Sequence, residues 1–474
     1  MRHVFLATLT LVVVAAVVLA LRAERASQAS ARPNVLLVSI DSLRADHLGA
    51  YGYERPTSPN IDRLASEGVV FEKAIAPAPW TVPSHMTMLT ALPPEVHGVT
   101  KHTMALAPEA VTLAEVLRDE GYATAAFVSG PTVMAHYGFG QGFTLFDEST
   151  ATPNRALART GITSPALVEL VDDYLDAWDR KGRRAPFFIF LHMWDVHYDY
   201  EPPPPYDRMF DPDYAGHADF SDFERNQSIR PDMDPRDLQH LIALYDGEIR
   251  WTDENLGKIL DRLRQLRVLD DTIVVVTSDH GDEFFEHGLK GHSKTLYDEV
   301  LHVPLVVRFP PRVPPGRRIA NQVRLMDVAP TILGLAGIEA PERFGMSRDE
   351  MPLPYGHVDL TPWITGAGED ALPDELPAFS MATAYFGPQW SMRTNAGKMI
   401  RFEAGRRIEV YDLEQDPREK HNLYGTGKAR ALLQAFAPVF QGWENIWRVL
   451  PAFAVERKPT QSHEARLRAL GYIE

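Results

Sequence analysis

The chain predicts an α/β fold, a mostly parallel sheet sandwiched by helices, followed by a small antiparallel-sheet subdomain at the C-terminus. Three features carry that expectation. β-Branched runs without polar alternation recur along the first part of the chain, as strands buried on both faces require. Helical patterns separate these runs, the arrangement of βαβ units. Beyond about residue 340 proline, glycine and charge increase, and the apolar pattern shortens and alternates.

"NVLLVSI" (Asn34–Ile40) is the first strand and ends at Asp41. "YATAAFV" (Tyr122–Val128) is the next, entered from the helical "TLAEVLRDEG" through a glycine stop. "PFFIFLHMW" (Pro186–Trp194) follows and runs into Asp195 and His197. From about Asp237 to Leu266, Leu241, Leu244, Ile249, Leu256, Ile259 and Leu263 form the apolar stripe of a helix. It feeds a strand in "DTIVVVTSDHGDEF", whose end carries Asp279 and His280, and "HVPLVVRFP" is a fifth strand. "QWSMRTN", "KMIRFEA" and "RRIEVYDL" predict the small antiparallel sheet, and "ARALLQAFAPVFQGWENIW" a closing amphipathic helix.

With 474 residues the chain is long enough for one large α/β domain and an appendage. Its 48 basic and 64 acidic side chains, formally −16, argue against nucleic acid as a partner. An anionic substrate is still compatible with this balance, because a metal ion reverses the sign of a local field. The absence of cysteine excludes disulfides, thiolate metal sites and cysteine nucleophiles. At the N-terminus, Arg2 precedes an apolar run from Val4 to Leu21, the pattern of a signal peptide or a short membrane anchor. Arg2 would hold that end inside and export the rest, to the periplasm or the exterior, cleaved or tethered to the membrane. The expected organisation is a leader over 1–31, a catalytic domain over 32–340 and a C-terminal subdomain over 341–474.

Ligands of open α/β sheets bind at the carboxyl ends of the strands. Asp41, Asp195, His197, Asp279 and His280 all follow strand ends. Any one alone is an ordinary turn residue, but five at one edge make a site. Aspartate and histidine together suit one or two divalent ions, with Zn or Mn ahead of Ca or Mg because of the imidazole. Asp279 and His280 are adjacent, and both can ligate only where a turn folds them together; "SDHGDE" supplies a glycine for it.

"PAPWTVPSHMTMLTALPP" reads as a helix start with Pro83 in the first turn and Thr81 or Val82 near the cap. A helix N-terminus offers N–H groups and a positive dipole end to an anion. Thr81 is therefore either a cap or a nucleophile. As a nucleophile it needs metal activation, because no G-x-S-x-G elbow with its base is present.

The stretch from "RPNVLLVSIDSLRADHLGAYGYERPTSPNIDRLASEGVVFEKAIAPAPW" through "TVPSHMTMLTALPPEVHGV" resembles the opening of the sulfatase family, in the alkaline phosphatase superfamily. "LHMWDVHYDYEPPPPY", "VVTSDHGDEFFEHGLKGHSKTLYDEVLHVPLVV", "VRLMDVAPTILGLAGI", "VYDLEQDPREKHNL" and the "LRALGYIE" tail continue the resemblance in the family's order. The resemblance implies that Asp41, Asp279 and His280 ligate a metal and that Thr81 is the nucleophile touching it. It implies that His197 contacts the substrate anion or leaving group, and that a Lys or His close to the anion is His292, Lys290 or Lys294. His85 stands where the family has an arginine, which makes it a substrate-binding candidate. Asp195, His197 and His292 are the candidates for a second metal.

Two departures bear on the chemistry. Classical sulfatases convert a Cys or Ser at the nucleophile position to formylglycine, and Thr81 cannot become that aldehyde. The family's "GKWHLG" segment is replaced by "AFVSGPTVMAHYGFGQGF". A plain threonine must be relieved of its ester by attack at the central atom, a route that suits phosphorus. The resulting expectation is a metal-dependent hydrolase without formylglycine, acting on a phosphate mono- or diester of a small molecule, glycan or lipid. The alternatives are a sulfuric ester hydrolase, an envelope phosphotransferase and an inactive binding protein.

Overall fold

The computed structural model describes residues 32–469 apart from 152–161, 342–343, 348, 368–372, 384–386, 404–406 and 451. The leader expected over 1–31 lies outside the described residues, as do most of the "LRALGYIE" tail and part of the irregular stretch before α2 below.

The central sheet has eight strands: β1 (Asn34–Ile40), β2 (Val69–Ile75), β3 (Ala123–Val128), β4 (Leu145–Asp147), β5 (Phe187–Met193), β6 (Thr272–Thr277), β7 (His302–Arg308) and β8 (Arg317–Arg324). Their spatial order is β8-β2-β7-β6-β1-β5-β3-β4. All pairings are parallel except those of β7, which runs against both β2 and β6. β1 lies between β5 and β6 with Ile40 opposite Met193 and Ser39 opposite Thr277, so these three strands end side by side. That register brings the residues after them to one edge.

The strands that escaped sequence reading are those with polar positions. "VVFEKAI" of β2 carries Glu72 and Lys73, and β8, "RRIANQVR", is an edge strand with exposed positions. An edge strand buries only part of its side chains, so it lacks the continuous apolar run that marks β1 and β6.

Helices cover both faces. Val35 and Leu37 of β1 join one core, which includes Met86 and Leu89 of α1 (Thr81–Thr90). Leu36, Val38 and Ile40 join the other, with Leu167 and Val171 of α2 (Ser164–Arg180) and Leu241, Ile249 and Leu256 of α3 (Pro235–Gln265). Alternate residues of one strand thus feed opposite layers, as a fully buried strand requires.

Four antiparallel strands, β9 (Ala378–Ala382), β10 (Gln389–Arg393), β11 (Gly397–Phe402) and β12 (Ile408–Asp412), form the second sheet. β9 binds the segment leading to α1: the Ser380 hydroxyl donates to the carbonyl of Ala76, and the Met381 N–H to that of Pro77. The helix α4 (Gly427–Trp447) follows, but it does not close the chain. Ala454–Glu456 pairs with Met104–Leu106, and a further helix spans Gln461–Ala469. Among the described residues no helix is long and apolar enough to cross a membrane.

Candidate active site

Trp80 occupies the N-cap position of α1 in an extended conformation, with no side-chain cap, so Thr81 is the first helical residue. Its hydroxyl does not cap; it stands 3.3 Å from His280 Nε2. Ser84 is spent locally, its hydroxyl donating to the Ala78 carbonyl at 2.9 Å. Between the two hydroxyls of the segment, Thr81 is the one that faces the strand-end cluster.

Asp41, Asp279 and His280 place ligand atoms within 4.8 Å of one another, all fully buried. His280 Nδ1 lies 3.0 Å from the Gly281 carbonyl, which can only accept. Nδ1 therefore carries the hydrogen, and the Nε2 lone pair points to Thr81, to Asp279 at 3.3 Å and to Asp41 at 3.7 Å. His192, within β5, repeats this arrangement. Its Nδ1 donates to the Ser129 carbonyl at 2.6 Å and its Nε2 faces Asp41 Oδ2 at 3.2 Å. Burial pushes the Asp41 carboxyl up to about 7, against the pull of His280 and Ser42. Asp279 Oδ2 is buried with no hydrogen-bond partner. Crowded carboxylates, imidazole lone pairs aimed inward and an orphaned oxygen are the donor set that a divalent cation satisfies.

His292 lies beside this cluster, its ring 4.3 Å from that of His280. Its Nδ1 donates to Asp282 Oδ1 at 2.6 Å, and the Tyr200 hydroxyl donates to Asp282 Oδ2 at 2.5 Å. Burial pushes Asp282 up to about 7 and, together with His280, holds His292 well below the ordinary histidine range. His292 Nε2 is buried with no hydrogen-bond partner. A carboxylate behind an imidazole fixes its tautomer and ring plane, for proton transfer or for metal ligation. His197 completes the wall: it stacks on Trp194 at 3.8 Å, sits 4.9 Å from His292, and its Nδ1 donates to the Tyr198 carbonyl.

Other sequence expectations are corrected by the geometry. Asp195 does not reach the cluster as a second-metal ligand. Its carboxylate accepts from the N–H groups of Thr163 and Ser164, the Thr163 hydroxyl and the Trp251 indole, and so caps α2. A second group of potential ligands is instead His280, Asp282 and His292, which shares His280 with the first. His85 is fully buried beneath Thr81, donating to its carbonyl at 2.9 Å, accepting from Ser39 at 2.8 Å and lying 3.4 Å from Asp279. It buttresses the cluster from behind and is not placed to grip substrate. Lys290 donates to the carbonyls of Asn226 and Ile229 and so holds a loop. Lys294 forms an ion pair with Glu224 at 2.5 Å.

Sequence reading overlooked His192, Asp282 and Tyr200. His192 interrupts the apolar run of β5, and Asp282 lies three residues after Asp279, so both left a trace; Tyr200 left none.

The sulfatase family model matches residues 33–338. The N-acetylglucosamine-6-O-sulfatase of Bacteroides thetaiotaomicron is 23% identical over 87% of this chain and 86% of its own length. The structure of the phosphonate monoester hydrolase of Agrobacterium radiobacter superposes with a TM-score of 0.69 at 22% identity, covering 90% of this chain and all of that one (100%). A structure solved with its substrate D-glucosamine-2-N,6-O-disulfate superposes with a TM-score of 0.71 at 20% identity, covering 88% and 98%. The chain belongs to the sulfatase family and is an ester hydrolase of the alkaline phosphatase superfamily.

Proposed function

We propose that this protein hydrolyses phosphorus esters by attack of the Thr81 hydroxyl on phosphorus. The observation that carries the reading is the Thr81 hydroxyl at 3.3 Å from His280, inside the Asp41, Asp279 and His280 group, in a chain without cysteine. A divalent ion held by those residues would acidify the hydroxyl and take up charge on the ester oxygens.

The α1 N-terminus, with about half a positive charge, faces the same anion. Thr81 Oγ1 bonds to phosphorus as the bond to the leaving oxygen breaks, and the threonine proton passes through the Nε2 lone pair of His292 or His197 to that oxygen. Water then attacks phosphorus, releases the phosphate or its monoester and restores the threonine. Asp282 and Tyr200 hold the His292 ring; His85 and Ser39 hold the Thr81 turn.

A second reading, sulfuric ester hydrolysis without formylglycine, is supported by curated relatives that are sulfatases. Under either reading the body is exported by its leader and acts on a small-molecule, glycan or lipid ester outside the cytoplasm, which fractionation of the producing cell tests.

Nitrophenyl sulfate, phosphate, phosphonate and diester substrates, assayed side by side on metal-analysed protein, decide between the two chemistries. Phosphorus esters are expected to dominate; a preference for sulfate by orders of magnitude overturns the first reading. Thr81→Ala is expected to abolish turnover while keeping its metal, and full activity in that variant removes the nucleophile assignment.

A further inference from the structure

We infer that the C-terminal sheet is a clamp that fixes how far Thr81 stands from His292, and that Lys398, Glu419 and Gln389 are positioning residues for the reaction. This rests on the reading that His292 works on an ester held at Thr81. It is independent of whether that ester is of phosphorus or of sulfur.

The two functional segments touch each other. Ser293, next to His292, donates its N–H at 2.7 Å to the carbonyl of Pro79, two residues before Thr81. Ser293 is in the left-handed region (φ +70), which a residue with a Cβ adopts where its surroundings hold it. The subdomain grips the chain on both sides of that contact from two neighbouring strands. β9 holds the Thr81 side through Ala76 and Pro77. On β10, Gln389 lies opposite Ala382, and its side-chain amide donates to the Lys294 carbonyl at 3.0 Å. One antiparallel pair therefore holds both segments, and its register sets their spacing.

An ion cluster locks the His292 side farther along. Arg393 and Lys398, opposite each other on β10 and β11, donate to the two oxygens of the Asp298 carboxylate at 2.7 and 2.8 Å. Lys398 is fully buried and also meets Glu419 at 2.9 Å. The other oxygen of Glu419 accepts from the Asp298 N–H at 2.7 Å, and the Tyr297 hydroxyl donates to Glu409 of β12 at 2.9 Å. Desolvation consumes much of the attraction within a buried cluster of this kind, so apolar packing would stabilise the interface as well. What the charges add is one fixed register. These contacts are to the flanks of Thr81 and His292 and not to either side chain, so the cluster acts through the backbone of Ser293.

The test compares steady-state kinetics, metal content and denaturant unfolding in wild type, Lys398→Met, Lys398→Met/Glu419→Gln and Gln389→Met, on the nitrophenyl ester that wild type turns over fastest. Lys398→Met leaves Glu419 buried without its cation. It is expected to lose stability and about tenfold in kcat, with KM and metal content close to wild type. Removing the Glu419 charge as well is expected to restore stability and leave kcat low. Gln389→Met keeps the ion cluster whole and is expected to lower kcat about threefold at an unchanged unfolding midpoint. Should Lys398→Met not fold, the double variant and Gln389→Met carry the test. A kcat that returns with stability in the double variant, or a wild-type kcat in Gln389→Met, overturns the inference. His292→Ala separates the two failures. Full turnover there removes His292 from the reaction and this inference with it, whereas a crippled His292→Ala beside wild-type kcat in the other variants overturns the clamp alone.

Discussion

His192 Nε2 and Asp41 Oδ2 face each other at 3.2 Å as two acceptors, because the other nitrogen of His192 is committed to the Ser129 carbonyl. Both are fully buried. Two lone pairs at that distance repel unless a cation or a proton lies between them. A cation there would make His192 a fourth ligand beside Asp41, Asp279 and His280, although it comes from within a strand. His192→Phe is expected to weaken metal affinity by about tenfold to a hundredfold. Metal content after dialysis against graded chelator checks it, and retention equal to wild type would place His192 outside the group.

Asp282 and Tyr200 act through His292. Asp282→Ala is expected to lower kcat by about tenfold or more with little change in KM, since the ring loses its orienting acceptor. Tyr200→Phe is expected to lose less, because Asp282 keeps its hydrogen bond to His292. Steady-state kinetics on one substrate with both variants checks the order, and equal KM-only effects would assign the pair to substrate binding instead.

Gly130 adopts a left-handed conformation (φ +82), and a Cβ there would stand 2.2 Å from the Trp194 indole. Trp194 in turn stacks on His197 at 3.8 Å. Gly130→Ala must push the indole away or distort the turn after β3. A destabilisation of about 1–3 kcal/mol is expected, together with lost activity through His197. Denaturant unfolding and turnover measured together check it.

His97 is buried and needs to be neutral: its Nδ1 accepts from the Val99 N–H at 3.0 Å, and its Nε2 lies 3.2 Å from the Pro83 carbonyl. Burial lowers its pKa to about 3, outweighing that carbonyl. The unfolded chain takes up this proton near pH 6.5 and the folded protein does not. Stability from this group is thus complete above about pH 6.5 and declines toward about pH 3, by about 1.4 kcal/mol per pH unit for one proton. His97→Gln is expected to flatten the acid limb by that proton. Unfolding free energies across the window test it, and an unchanged slope would rule out His97 as a source.

Much of this could be read in the chain because of how burial writes itself into sequence. β1 and β6 are buried on both faces, so "NVLLVSI" and "TIVVVT" carry no charged residue before their functional ends, and Asp41, Asp279 and His280 stand out there. Asp195 shows the limit of the same logic. It too follows a strand, yet its carboxylate turns to the N-terminus of α2, and strand-end position alone does not fix where a side chain points.

By itself, then, the amino-acid order determined the α/β class and the family, since these follow from local apolar patterns and contiguous motifs. The tertiary structure decided the partners. His192 and Asp41 are 151 residues apart, and Lys294 and Glu224 belong to different segments. Charge compensation and tautomer depend on distances of a few ångströms between such groups. Those distances exist only once the sheet has set its register.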